Sequence, residues 1–144
     1  RTRRAVIGAL ALSAVVLLLG GLTANLGAAG ACLGFPLCSG AVWPTAGALS
    51  WLQWVHRLLA YALLLHLIGL VVMSHRRQAP ALVRSGALLA LVVAATQVAI
   101  AAVMVLAHLP PVWRALHAAA GIALWTTLVW LVCQGRSTST PLPA

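Results

Sequence analysis

Two histidines each open an apolar run beside an arginine, and no other residues in the chain combine those features. Trp51-Leu52-Gln53-Trp54-Val55-His56-Arg57 leads one run and Trp113-Arg114-Ala115-Leu116-His117 leads the other. A histidine inside an apolar span is costly and by default points to function. His56 and His117 each fall about five residues into their runs, so at about 1.5 Å per residue both lie roughly 7 Å below one boundary. Two neutral imidazoles at one level of a helical bundle suit the axial positions of heme iron. Arg57 and Arg114 stand on the outer side of that level, where the heme propionates need cations. Taken singly, either histidine could instead hydrogen-bond a neighbouring helix.

The remaining polar residues divide between this site and plainer roles. Gln53 precedes His56 by one turn and shares nearly the same face. Gln97 sits in the middle of another apolar run; both amides are candidates for the heme pocket, or for hydrogen bonding between helices. His66 is about 15 Å deeper than His56 and about 80° round the helix, with no histidine to match it, which favours a structural role. His75 lies among arginines at a membrane surface. His108 closes a span and reads as a surface residue, with a pocket role as the alternative. Cys32 and Cys38 bracket Leu33-Gly34-Phe35-Pro36-Leu37 in a non-apolar segment outside the membrane, where a disulfide persists. A structural bridge is the first reading and a redox-active pair the second; the segment lacks the further ligands a zinc site needs. Cys133 stands alone and reads as an inert small residue. Trp43, Trp51, Trp54 and Trp113 gather at one boundary, as an aromatic belt does, and Trp54 or Trp113 could also stack on a porphyrin.

Composition removes most other chemistry. The 144 residues are 63% hydrophobic and carry nine basic residues, all arginine, with no aspartate or glutamate. A soluble domain carries about 25% charged residues, so this is an integral membrane protein. Without carboxylates there is no acid–base pair, no Ser-His-Asp triad and no carboxylate-held magnesium or calcium. A net charge of +9 suits anionic lipid headgroups and carboxylate ligands. Nucleic acid is excluded as a partner, because the charges flank apolar spans in short clusters and form no solvated face.

The elements that must position the histidines follow from the apolar runs. Spans of about 20 residues are predicted at 5–23, 51–73, 86–107 and 112–133. The first is too long for a signal-peptide core, and because the chain opens on arginine, residues are expected upstream. Residues 25–50 form a glycine- and proline-containing outer loop with one short surface helix. A polar connection from Ser74 to Arg84 and a turn at His108-Leu109-Pro110-Pro111 join the later spans, and residues 134–144 form a disordered Ser/Thr/Pro-rich tail. Seven arginines fall at the N-terminus, the middle connection and the tail, against Arg57 and Arg114 on the other side. The positive-inside rule then places both termini in the cytoplasm, in the plasma membrane. The fold class is an all-α membrane protein, an up-down four-helix bundle forming one heme-binding domain over 1–133.

The motifs, in order, resemble the heme A synthase family in a half-length form. They are Gly20-Gly21-Leu22-Thr23, the glycines of 27–30, Cys32 to Cys38 with Pro36-Leu37-Cys38, Gln53-Trp54-Val55-His56-Arg57, Gln97-Val98, Leu109-Pro110-Pro111 and Leu116-His117. The resemblance covers about residues 20–121. Family members usually join two four-helix halves, one resembling a site for a heme b cofactor and the other the site for substrate heme. The resemblance implies conversion of heme O to heme A, by oxidation of a ring methyl to a formyl group. It also implies a homodimer that pairs two such units, and a heme O-producing membrane enzyme as a further partner. The family's catalytic half usually carries a glutamate one turn before the first histidine. Gln53 holds that position here, as in the cofactor half, and is the candidate catalytic residue if the chain is an enzyme. The alternative is a non-catalytic bis-histidine membrane cytochrome b that transfers electrons or holds heme.

Overall fold

A computed structural model describes residues 2–45 and 47–137, with side chains up to 134 in the last helix. It contains four long helices: α1 (Thr2–Asn25), α2 (Ala48–Arg76), α3 (Ala81–Leu106) and α4 (Pro111–Ser137), with one 3-10 turn at Ala28–Gly30. All four are long and apolar enough to cross a membrane, and the chain is an all-helical, multi-pass membrane protein. Each helix packs against the next, and α1 packs against α4, so α2 and α4 face each other across the diagonal of an up-down square. That placement decides the site, because α2 and α4 carry His56 and His117.

The two short connections are built alike. At the end of α2, the amide of Ala79 donates to the Ser74 carbonyl (3.0 Å) and that of Gln78 to His75 (3.0 Å). At the end of α3, Leu109 donates to Met104 (2.8 Å) and His108 to Val105 (3.2 Å). This double bonding satisfies the last carbonyls of a helix and needs a left-handed residue just past its end. Gln78 (φ 47°) and His108 (φ 63°) supply it. Proline follows each turn, at Pro80 and at Pro110-Pro111, because it cannot continue the helix but suits the start of the next. The device shortens the middle connection to four residues. Arg84, expected in that connection, lies within α3. Helix α2 begins three residues earlier than expected, and the surface helix anticipated in the outer loop is a single 3-10 turn with Ala28 buried. The expected tail is helical as far as Ser137; its remainder, 138–144, lies outside the described residues.

The bundle divides into two halves along its axis. In the half nearest the chain ends, Val6, Ala9, Leu63, Leu67, Leu70, Ala87, Ala90, Ala94, Leu124, Leu128 and Leu131 form one buried cluster. Alanines on α1 and α3 face leucines on α2 and α4, which lets the layers interdigitate at interior density. Gly86 marks the tightest approach: a methyl group there would lie 2.7 Å from Leu131 Cδ1 and 3.0 Å from Trp130 Cζ3. The other half holds small residues where large ones would close it, and it stays open.

Candidate functional site

The open half contains a cavity of about 360 Å³ that both His56 and His117 line. Val16, Leu17, Ala60, Val98, Ala101 and Met104 supply much of its apolar wall. Its size falls within the range of small-molecule and cofactor pockets. Its polar lining is unusual in being unsatisfied. Among the described residues, six buried side-chain polar atoms lack a hydrogen-bond partner, and five of them belong to residues that line this cavity. They are Thr23 Oγ1, Gln53 Oε1, His56 Nδ1, Gln97 Oε1 and His117 Nδ1. Buried polar groups are ordinarily paired, and each orphan costs about 1–3 kcal/mol. Five of them gather in this one cavity.

Glycines give the polar side chains their room. A methyl group on Gly20 of α1 would stand 3.0 Å from His56 Cε1, and one on Gly121 of α4 would stand 3.1 Å from Gln97 Nε2 and 3.2 Å from Leu17 Cδ2. The main chain of Val16 on α1 lies beside His56, and that of Gln97 on α3 lies beside His117. Each histidine of the diagonal pair thus lies against the helix that precedes its own.

Helix α2 serves two purposes on adjacent stripes. Gln53, His56 and Ala60 face the cavity. Ser50, Trp54, Arg57 and Tyr61 hold the outer loop. Cys32 and Cys38 form a disulfide (S–S 2.07 Å) that is buried against Trp54. Arg57 is itself buried and donates to the carbonyls of Cys32 (2.6 Å), Gly34 (2.8 Å) and Leu37 (2.9 Å). Ser50 donates to the Ala31 carbonyl (2.8 Å) and Tyr61 to that of Pro36 (3.1 Å), while the Phe35 ring meets Tyr61 edge-on. The loop then turns at Ser39-Gly40, both at positive φ, with Cys38 and Ala41 paired across the turn.

The residues named from sequence therefore take different places. His56, His117, Gln53 and Gln97 all border the cavity. Arg57 borders it too, and three of its N–H groups are engaged by loop carbonyls. With no acid in the chain, a buried guanidinium is satisfied by neutral oxygen acceptors, here peptide carbonyls. Arg114 is exposed at the cavity's edge and makes no side-chain hydrogen bond among the described residues. His66 Nε2 lies 2.8 Å from the Ala5 carbonyl, a link between α2 and α1 in the packed half. His108 is exposed and serves the turn; His75 bonds the Val71 carbonyl of its own helix (2.9 Å). Thr23 and Gly20 belong to the site, although neither had an individual role in the sequence reading. A lone threonine or glycine in an apolar run carries no signal until its neighbour across the bundle is known.

A sequence model of the COX15-CtaA family, described as cytochrome oxidase assembly protein, matches residues 1–129 of the 144. The chain belongs to this family. No curated protein sequence matches the chain. Membership carries a heme A synthase-like role in cytochrome oxidase assembly, and the residues present fit a heme. The cavity offers an apolar wall, two imidazoles from diagonal helices and an exposed guanidinium at its edge. It holds no carboxylate that would compete for iron. The COX15-CtaA bundle thus gathers its unpartnered polar atoms at one cavity and fills the opposite half mainly with leucine and alanine.

Proposed function

We propose that this protein is a heme-binding membrane oxidoreductase that oxidises a ring methyl of heme O to the formyl group of heme A. The observation that supports it most is the convergence of His56, His117 and three further unpartnered polar side chains on one cavity of the family's bundle. Heme bound there would supply the redox chemistry. The protein's own residues bind and orient it. His56 and His117 would be the axial ligands, and Gly20 leaves the His56 ring the space it occupies. Arg114 would pair with a propionate. Arg57 would act chiefly by fastening the disulfide loop over the outer end, with any propionate contact left to its remaining N–H groups. Gln53 and Gln97 would present amides to the ring edge. The loop, with Ala29 and Phe35 in the cavity lining, keeps water from the outer end.

A four-helix unit provides one such cavity, so we further propose a homodimer in which one copy's heme b site complements the other's heme O site. The start of α1, the end of α4 and the 77–80 connection share one end of the bundle, with Arg3, Arg4, Arg76, Arg77 and Arg84. The positive-inside rule makes that end cytoplasmic, in the plasma membrane, in contact with anionic lipids.

One observation favours a second reading. Gln53 lies where a carboxylate is expected for catalysis, and the chain contains no acid to replace it. A bis-histidine cytochrome b, transferring electrons or holding heme for a partner, needs none. The deciding experiment is extraction and mass analysis of hemes from protein made in cells that supply heme O, with His56→Ala and His117→Ala alongside. Heme A or a hydroxylated heme O in the unaltered protein is the expected result, and both variants should lose most of their heme. Heme b alone would establish the cytochrome reading. Heme retained by both variants, or absent from the unaltered protein, would sink both readings.

A further inference from the structure

The cavity is covered on the two sides that face water. Its outer end lies beneath the loop fastened by Ser50, Arg57 and Tyr61, and its inner end meets the leucine–alanine cluster. The lining residues that α2 and α3 contribute are all buried or half-buried. The exposed lining residues all come from α1 and α4: Leu17, Gly21 and Ala24 on one, Arg114, Ala118 and Ile122 on the other. Counted from the outer ends of their helices, Leu17 lies about 12 Å deep and Ile122 about 16 Å. At that depth the surroundings are hydrocarbon. The opening is therefore a slot in the side of the bundle, walled by leucine, isoleucine, alanine and glycine, with a guanidinium at its outer corner. Leu17, packed against Gly121, forms its lower edge.

We propose that the α1/α4 seam is a lateral portal through which the cavity exchanges ligand with the bilayer. The ligand class is an amphiphile that resides in the membrane: a flat apolar ring with acidic groups on one edge, which enters ring-first between the helices and leaves its acids at Arg114. This rests on the heme reading above. Entry from water would require breaking the three Arg57 bonds and those of Ser50 and Tyr61. Entry from lipid requires only that side chains at the slot change rotamer. An apolar slot also costs nothing in lipid, whereas a water-filled channel at that depth would need polar walls.

The test uses bulk at the slot. A methyl group on Gly21 would meet nothing within 4 Å, so Gly21→Trp adds an indole across the seam with the helix intact. Ala118→Trp does the same from α4, and Leu65→Trp places the same bulk on the lipid face of α2, away from the cavity. Full-length protein in liposomes is mixed with liposomes carrying heme, and the Soret band is followed. Gly21→Trp and Ala118→Trp should slow uptake about tenfold or more, while Leu65→Trp, outside the cavity, loads at the original rate. Equal rates in all four proteins would overturn the portal and leave the heme reading standing. No uptake by the unaltered protein would sink the heme reading itself. A heme-independent measurement completes the test. A nitroxide on Gly21→Cys, with Cys133→Ala to remove the free thiol, should collide readily with oxygen and poorly with a water-soluble nickel chelate. Low access to both would show the seam covered, as by a second copy, and would overturn the portal.

Discussion

Arg57 and Arg114 show how two residues of one type, matched in sequence position, divide in role. Both precede or follow a cavity histidine closely, and both lie near the outer boundary. Arg57 is 7% exposed and bound to three carbonyls, whereas Arg114 is exposed and unbonded among the described residues. Replacing Arg57 with Met strands those carbonyls and should cost about 2–5 kcal/mol, read as a lowered melting temperature in detergent. Arg114→Gln should leave stability within about 0.5 kcal/mol but weaken heme binding by about 1.5–3 kcal/mol, the value of a charged hydrogen bond. Heme titrations and thermal melts on the two variants should thus separate cleanly. If Arg57→Met keeps its melting temperature and loses heme affinity instead, Arg57 is a propionate partner and the fastening role is wrong. The histidines were legible in the sequence because a polar ring in lipid demands a reason. The fastening role was not, because the carbonyls that engage Arg57 belong to every sequence alike.

At the scale of helices, apolar runs located all four spans, and the helix count and order followed from them. The prolines after His108 marked that turn to within a residue, but the α2/α3 boundary was missed by several residues, since the turn at Gln78 lacks the glycine usual there. Nor did the sequence distinguish glycines that permit close packing from glycines that only interrupt a run. Gly86 and Gly69 make the contrast measurable. A methyl group at Gly86 would press on Leu131, which is 2% exposed and has no room to yield, while one at Gly69 would meet nothing within 4 Å. Gly86→Ala should destabilise the bundle by about 1–3 kcal/mol through overpacking. Gly69→Ala should leave it unchanged or gain up to about 1 kcal/mol from helix propensity. Comparable melting temperatures for the two variants would contradict the tight α3/α4 approach.

The molecule as a whole joins a packed half to an open one, and the contrast sets its dynamics. Leucine and alanine fill the half near the termini, and their burial stabilises it without a ligand. In the other half the same four helices surround a cavity with five unpartnered polar atoms, so each has less to lose by opening. Low contact density and unsatisfied groups lower the free energy of local opening. A ligand that binds only the closed arrangement raises it, by about 2.7 kcal/mol at a hundred times its dissociation constant. Hydrogen exchange should therefore be uneven before heme is added: peptides covering 16–24, 97–106 and 114–121 should exchange faster than those covering 63–70, 87–94 and 124–131. Heme should slow the first group markedly and leave the second nearly unchanged. Uniform protection along all four helices before loading would mean that the cavity is already closed by something else, a second copy or a lipid chain. In that case the unpartnered atoms would belong to an interface and not to a site awaiting its ligand.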